Sequence, residues 1–140
     1  MDDIPEGFSE ADFGGQFLKH NGPFYMKREG ECWLVAQRVS AKHVNYLGIA
    51  HGGMISTLAD VALSAQPFFS ERPNPAVTTS SMTLNFVSAA REGDWIVAET
   101  IIDRLGKRNA QVHGRIHRDG ETLATMSGVF SVRRATGESS

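Results

Sequence analysis

The chain has 140 residues, 41% hydrophobic and 21% charged, with a formal net charge of −2 and a pI near 6.2. That size suits one domain spanning residues 1–140 with its own buried core, and without a basic surplus there is no argument for a nucleic-acid partner. The single cysteine, Cys32, leaves no internal disulfide to form, no apolar run nears the ~18–20 residues of a membrane span, and the acidic opening lacks the apolar stretch of a secretory leader, so a soluble, cytoplasmic protein is expected.

Residues 1–8 and 134–140 are polar ends expected to be loose. "SEADFGGQFLKHNG" predicts a short helix capped by Ser9, with Phe13, Phe17 and Leu18 on one side; Gly14 and Gly15 count against it. "PFYMKREG" and "ECWLVAQRVS" predict two strands around a turn at Glu29-Gly30. "AKHVNYLGIA" is irregular. The next helix is predicted from about Gly53 to Gln66, ended by Pro67, and "ERPNPA" is a loop. "AVTTSSMTLNFVS" alternates as a strand from Val77 onward, and "DWIVAETIIDRL", "NAQVHGRIHRD" and "ETLATMSGVFSVRR" follow as three more. Their joints fall at Gly106 and at Asp119-Gly120, the second a strong hairpin signal. One long helix followed by an antiparallel meander predicts an α+β fold with the helix on one face of the sheet.

That helix is apolar nearly all round, which predicts burial nearly all round. Ser56, Asp60 and Ser64, spaced four apart, make one narrow polar stripe. An unpaired buried carboxylate costs several kcal/mol or protonates, so Asp60 either lies on an ordinary solvent-exposed stripe or faces a crevice, a subunit boundary or a polar partner. Gly52 and Gly53 open the helix, where N–H groups are unpaired and carry partial positive charge. They serve either a tight, closely packed turn or a site where a ligand carbonyl sits on those N–H groups, as in an oxyanion hole. Asp60 lies about 10 Å further along the axis by helix rise, too far to act on such a carbonyl. The inference is that Asp60 of one subunit completes a site opened by Gly52 of another.

"HVNYLGIAHGGMISTLADVALSAQ" resembles the N-x-x-G-x-x-x-H-G-G-x-x-x-x-L-x-D-x-A pattern of hotdog-fold acyl-CoA thioesterases of the phenylacetate-pathway (PaaI-like) type, and the resemblance extends from about Val39 to Arg133. It implies a curved antiparallel sheet wrapped around one long central helix, in a homodimer or in two dimers paired as a homotetramer, with sites at the dimer boundary. It implies an acyl-CoA substrate and no separate cofactor, since CoA is part of the substrate. By similarity, the Gly52 N–H would polarise the thioester carbonyl and Asp60 of the facing subunit would act as nucleophile or general base. Asn45 would help hold the thioester or the water. Thr79 falls where relatives carry a Ser or Thr beside the acid, with Thr78, Ser80 and Ser81 leaving the register open. His51 matches a catalytic-site histidine of the family that supports the loop more often than it performs proton transfer, and Gly53 adjoins the substrate. Relatives bind the CoA phosphates with basic residues at strand ends. The matching residues are Arg91 and the turn Arg104, Gly106, Lys107 and Arg108, which read equally as solvated charged surface. Pro67 departs from the pattern and is expected to kink or shorten the helix and reshape the acyl pocket.

No metal site is expected. His113 and His117 on one strand would stand ~13 Å apart. No Gly-x-Ser-x-Gly elbow supports a serine triad, and the aromatic residues suit a core or pocket wall better than a nucleic-acid platform. Two other readings compete. A hotdog enoyl-CoA hydratase or dehydratase needs a His with a carboxylate nearby in sequence, whereas His43 follows "RVSAK". A non-catalytic acyl-CoA binder has no need of Asp60 beside an anionic ligand.

Overall fold

The computed structural model describes residues 3–135; residues 1–2 and 136–140, part of the ends expected to be loose, lie outside that range. Among the described residues, seven antiparallel strands form one sheet: β1 (Ser9–Ala11), β2 (Phe24–Glu29), β3 (Cys32–Arg38), β4 (Ala76–Phe86), β5 (Trp95–Leu105), β6 (Asn109–Arg118) and β7 (Glu121–Arg133). Helix α1 (Gln16–Asn21) is short, and α2 (Gly52–Phe69) is the long helix. A single 3-10 turn at Ala41–His43 lies within the stretch read as irregular.

α2 packs against β3, β4, β5, β6 and β7. Leu58, Ala59, Ala62 and Leu63 on the helix are fully buried against Ile96, Ile116 and Phe130 of the sheet. Ser56, Asp60 and Ser64 are half-buried along the stripe predicted from their spacing. A long helix held on one face of a curved antiparallel sheet is the hotdog arrangement that the motif implies. The β6–β7 hairpin turns on Asp119 and Gly120, both at positive φ (49° and 85°), the geometry a two-residue hairpin loop requires.

Four expectations are corrected. The strands run β1-β2-β3-β5-β6-β7-β4, so β4 opens no meander; it lies at the far edge beside β7. Pairing order is set by long-range packing on α2, which chain order does not encode. Ser9 caps no helix but lies in β1, paired with Met26, and α1 starts only after Gly14 and Gly15, whose φ values of 83° and 80° break the helix. Pro67 does not end α2, which runs on to Phe69. In the last turn a proline forfeits one backbone hydrogen bond, while Phe69 gains a ring contact with Trp33 (centroids 5.0 Å apart), and Ser70 closes the end by donating its N–H and hydroxyl to the Pro67 carbonyl. The alternation of β4 breaks between Thr79 and Ser81, where a bulge shifts the register against β7.

Two described residues of the stretches expected to be loose are held in place. Phe8 packs edge-on against Trp95 (5.3 Å), and Arg134 is anchored by hydrogen bonds to Glu71, Gly106 and Lys107.

Candidate active site

The N-terminus of α2 is built by the loop before it. The Asn45 side-chain oxygen accepts the N–H groups of Leu47 (2.9 Å) and Ile49 (3.3 Å), and the Asn45 N–H donates to the Ile49 carbonyl (2.8 Å). Such a self-bonded Asn is a turn-former, and Gly48, at φ 80°, completes the reversal. The Asn45 side-chain NH2 has no acceptor among the described residues.

His51 is the helix cap. Its Nδ1 accepts the Gly53 N–H at 2.8 Å, which places the proton of the neutral ring on Nε2. A Cβ on Gly53 would stand 3.1 Å from that nitrogen, so the second glycine lets the cap close. The Gly53 N–H is thereby spent on His51. The Gly52 N–H has no acceptor among the described residues. It opens, with Asn45, onto a cleft of 330 Å³ walled by Ile49, Ile55 and Phe86. An unpaired N–H at a helix N-terminus is suited to polarising a carbonyl.

Asp60 faces a different cleft. Its carboxylate accepts the Thr79 hydroxyl at 2.5 Å. Among the four hydroxyls of "TTSS", Thr79 is the one that meets it, and the adjacent bulge sets its aim. A separate 330 Å³ cleft, bounded by α2 and the N-terminal segment, contains Asp60 and Ser64. Within the chain, therefore, the free N–H and the carboxylate do not share a cavity. Ser56 and Thr57 donate to the Gly52 and Gly53 carbonyls.

The cations divide between the two ends of β4. Arg91, exposed, bridges Ile49 through its backbone and so borders the Asn45 loop. Its N–H donates to Asp94 (2.8 Å). Burial acts to raise the Asp94 carboxyl, but that N–H and the Arg118 guanidinium (2.6 Å) hold it below the usual carboxylate range. Arg104, Lys107 and Arg108 are exposed around the half-buried Gly106 in the β5–β6 hairpin, next to the start of β4, since Asn109 and Thr78 both register with Ser131. Arg134 fixes that hairpin by donating to the carbonyls of Gly106 (3.4 Å) and Lys107 (2.7 Å). The same guanidinium binds both Glu71 oxygens (2.8 and 2.9 Å). That hydrogen bonding holds the Glu71 carboxyl below its usual range. Sequence reasoning missed Arg134, which falls in a tail with no pattern.

Other candidates have structural partners. His43 is buried, its Nδ1 accepting the Ser40 N–H (3.1 Å) and its Nε2 facing the Asn21 carbonyl (2.8 Å). His113 pairs with Asp103 (2.8 Å) and His117 lies 3.5 Å from Glu99. Among the described residues no group of three or more metal-ligating side chains converges, and no helix is long and apolar enough to cross a membrane.

The sequence model of the thioesterase superfamily matches residues 47–125, more than half of the chain. A Pseudomonas aeruginosa protein provisionally named an esterase is 40% identical over 131 residues, covering 93% of this chain and 98% of its own. Acyl-coenzyme A thioesterase 13 of Mus musculus is 34% identical over 77 residues, 55% of this chain and 54% of the relative. Among solved structures, the PaaI protein of the E. coli phenylacetic acid degradation operon matches at TM-score 0.74 with 23% identity, over 86% of each chain. A Streptococcus mutans protein bound to acetyl CoA matches at 0.73 with 22% identity, over 81% of this chain and 93% of that one. With this fold and these relatives, the protein is a hotdog-fold thioester hydrolase. The chain belongs to the thioesterase superfamily.

Proposed function

We propose that the protein hydrolyses an acyl-CoA thioester to the free acid and CoA, at a site shared by two subunits. The observation that carries this reading is the separation of the free Gly52 N–H from the Asp60 carboxylate into two clefts of one protomer. The edge strand supports the same assembly. β4 has 11 residues, eight of them exposed, and ends on Phe86, which with the next residue, Val87, is 59% exposed. A long edge of this kind is a template for pairing. Phe86 packs beside Gly52, and Thr79, seven residues back, holds Asp60. Two copies of β4 paired antiparallel about Met82 and Thr83 would set Thr79 of each subunit against Phe86 of the other. Two equivalent sites then form, in a homodimer or in a pair of such dimers. The exposed Cys32 thiol fits a reducing, cytoplasmic setting.

In this reading the thioester oxygen lies on the Gly52 N–H, with the Asn45 amide in the same cleft. Asp60 of the other subunit, aimed by Thr79, either takes a proton from an attacking water or attacks the carbonyl carbon itself. In both routes the Gly52 N–H stabilises the tetrahedral oxyanion, the C–S bond breaks, and the sulfur leaves as CoA thiolate and takes up a proton. The acyl-enzyme of the second route is then hydrolysed by water. Arg91 and the Lys107–Arg108 hairpin meet the CoA phosphates.

The hydratase alternative is disfavoured by His43, whose two ring nitrogens are already engaged inside the protein. The test is thiol release from a panel of CoA thioesters by wild type and Asp60→Asn. A folded Asp60→Asn protein that loses ~10²-fold or more in kcat supports the assignment, and unchanged hydrolysis would falsify it.

A further inference from the structure

The cleft beside Asp60 is walled in part by the N-terminal segment. Its sides are Val61, Phe68 and Val77, and its end is closed by Phe13 and Leu18 of the N-terminal segment. Those residues lie outside the 47–125 stretch matched by the superfamily. Phe13 and Leu18 also line a second, larger hollow of 590 Å³, bounded on its other side by α1, Phe24 and Lys42. The two side chains are thus a partition between two cavities. Phe13 is held in place by an edge-on contact with Phe24 (5.8 Å). The Asp12 side chain, at the rim, accepts the Gly14 N–H (2.8 Å).

The lining also selects by charge. Its polar members are Asp12, Asp60 and Ser64, and among the described residues no lysine or arginine lines it. A group carrying its own carboxylate would meet two carboxylates and no cation, a like-charge arrangement that disfavours binding. An uncharged hydrocarbon would cover Phe68, which is 37% exposed.

We propose that this cleft takes an uncharged apolar acyl group and that the Phe13–Leu18 partition sets the length limit. The inference rests on the reading that Asp60 stands at the reacting carbonyl. Each methylene buried in the cleft is worth about fourfold in kcat/KM, until the chain meets the partition. Removing Phe13 joins the cleft to the 590 Å³ hollow and lets longer chains enter. Ser64 is half-buried and on the cleft side of α2, so an added ring there fills the cleft.

The experiment measures kcat/KM for straight-chain CoA thioesters from acetyl to tetradecanoyl, and for succinyl-CoA, with wild type, Phe13→Ala, Leu18→Ala and Ser64→Phe. The expected wild-type profile climbs by about fourfold per methylene to a break. The break moves to chains at least two carbons longer in Phe13→Ala and to shorter chains in Ser64→Phe. Leu18→Ala lengthens the limit in the same direction and decides the matter if Phe13→Ala does not fold. Succinyl-CoA should be at least tenfold poorer than butyryl-CoA. A uniform loss at all chain lengths with the break unmoved, or a preference for succinyl-CoA, overturns the proposal. Full activity in Asp60→Asn overturns the underlying site reading instead, so the two failures are distinguishable.

Discussion

The Thr79 hydroxyl donates to the Asp60 carboxylate across 2.5 Å, tying the edge strand β4 to the long helix α2. A hydrogen bond to a charged group is worth roughly 1.5–3 kcal/mol, and here it aims one carboxylate oxygen. Thr79→Ala should therefore lower kcat by about tenfold or more with little change in KM, and Thr79→Ser should recover most of the loss. Thr78→Ala should stay within about twofold of wild type. Steady-state kinetics on the four proteins check this, and equal losses in Thr79→Ser and Thr79→Ala would argue for packing rather than for the hydroxyl.

The cationic hairpin gives a salt-dependent expectation. Lys107 and Arg108 are exposed beside Gly106, whose carbonyl Arg134 holds. Lys107→Ala and Arg108→Ala should raise KM for CoA esters more at low than at high ionic strength, with kcat little changed. CoA binding as tight as wild type at low salt in both variants would remove the hairpin from the site.

The Glu71–Arg134 pair predicts an acid-side effect on stability. The Arg134 hydrogen bonds lower the Glu71 carboxyl below its ordinary value of 4.5 in the folded protein. The unfolded chain thus binds this proton first as pH falls. The pair's contribution is fully present above pH 4.5 and disappears as pH drops through the lower folded value. Both side chains are about a third exposed (30% and 32%), which limits the gain to roughly 0.5–1 kcal/mol. Urea unfolding of Glu71→Gln should show that loss at pH 7 and convergence with wild type in acid. A constant gap at all pH values would contradict the assignment.

The parts of this protein that were legible in its sequence are those fixed by local pattern. The apolar circumference of α2, the stripe through Asp60, the Asp119-Gly120 hairpin and the three strands β5, β6 and β7 all follow from spacing and turn chemistry. So did the glycines at the start of α2, although spacing did not reveal that His51 occupies the Gly53 N–H and leaves Gly52 free. The edge position of β4 was hidden because its partner β7 is contributed from the far end of the chain. The bulge before Ser81 was hidden because four consecutive hydroxyl residues fit either face of a strand. The N-terminal segment misled through Ser9, a good cap residue that β2 captures as a strand partner instead. Arg134 gave no signal at all, since its hydrogen-bond partners lie in two distant turns.

The shared site is the central claim, and subunit mixing tests it most directly. Gly52 is the first residue of α2, the helical position that best tolerates proline. His51 before it has φ −63° and ψ 141°, an extended conformation compatible with a following proline. Gly52→Pro should thus remove one N–H and leave the fold intact. Gly52→Pro and Asp60→Asn proteins, each inactive alone, are mixed and allowed to exchange subunits. A mixed dimer has one site carrying both lesions and one carrying neither. Statistical exchange makes half of the dimers mixed, each with half of its sites intact, so activity should return to about a quarter of wild type. Verified mixed dimers that remain inactive, or a stable monomer that hydrolyses thioesters, would contradict a site built from Gly52 of one subunit and Asp60 of the other.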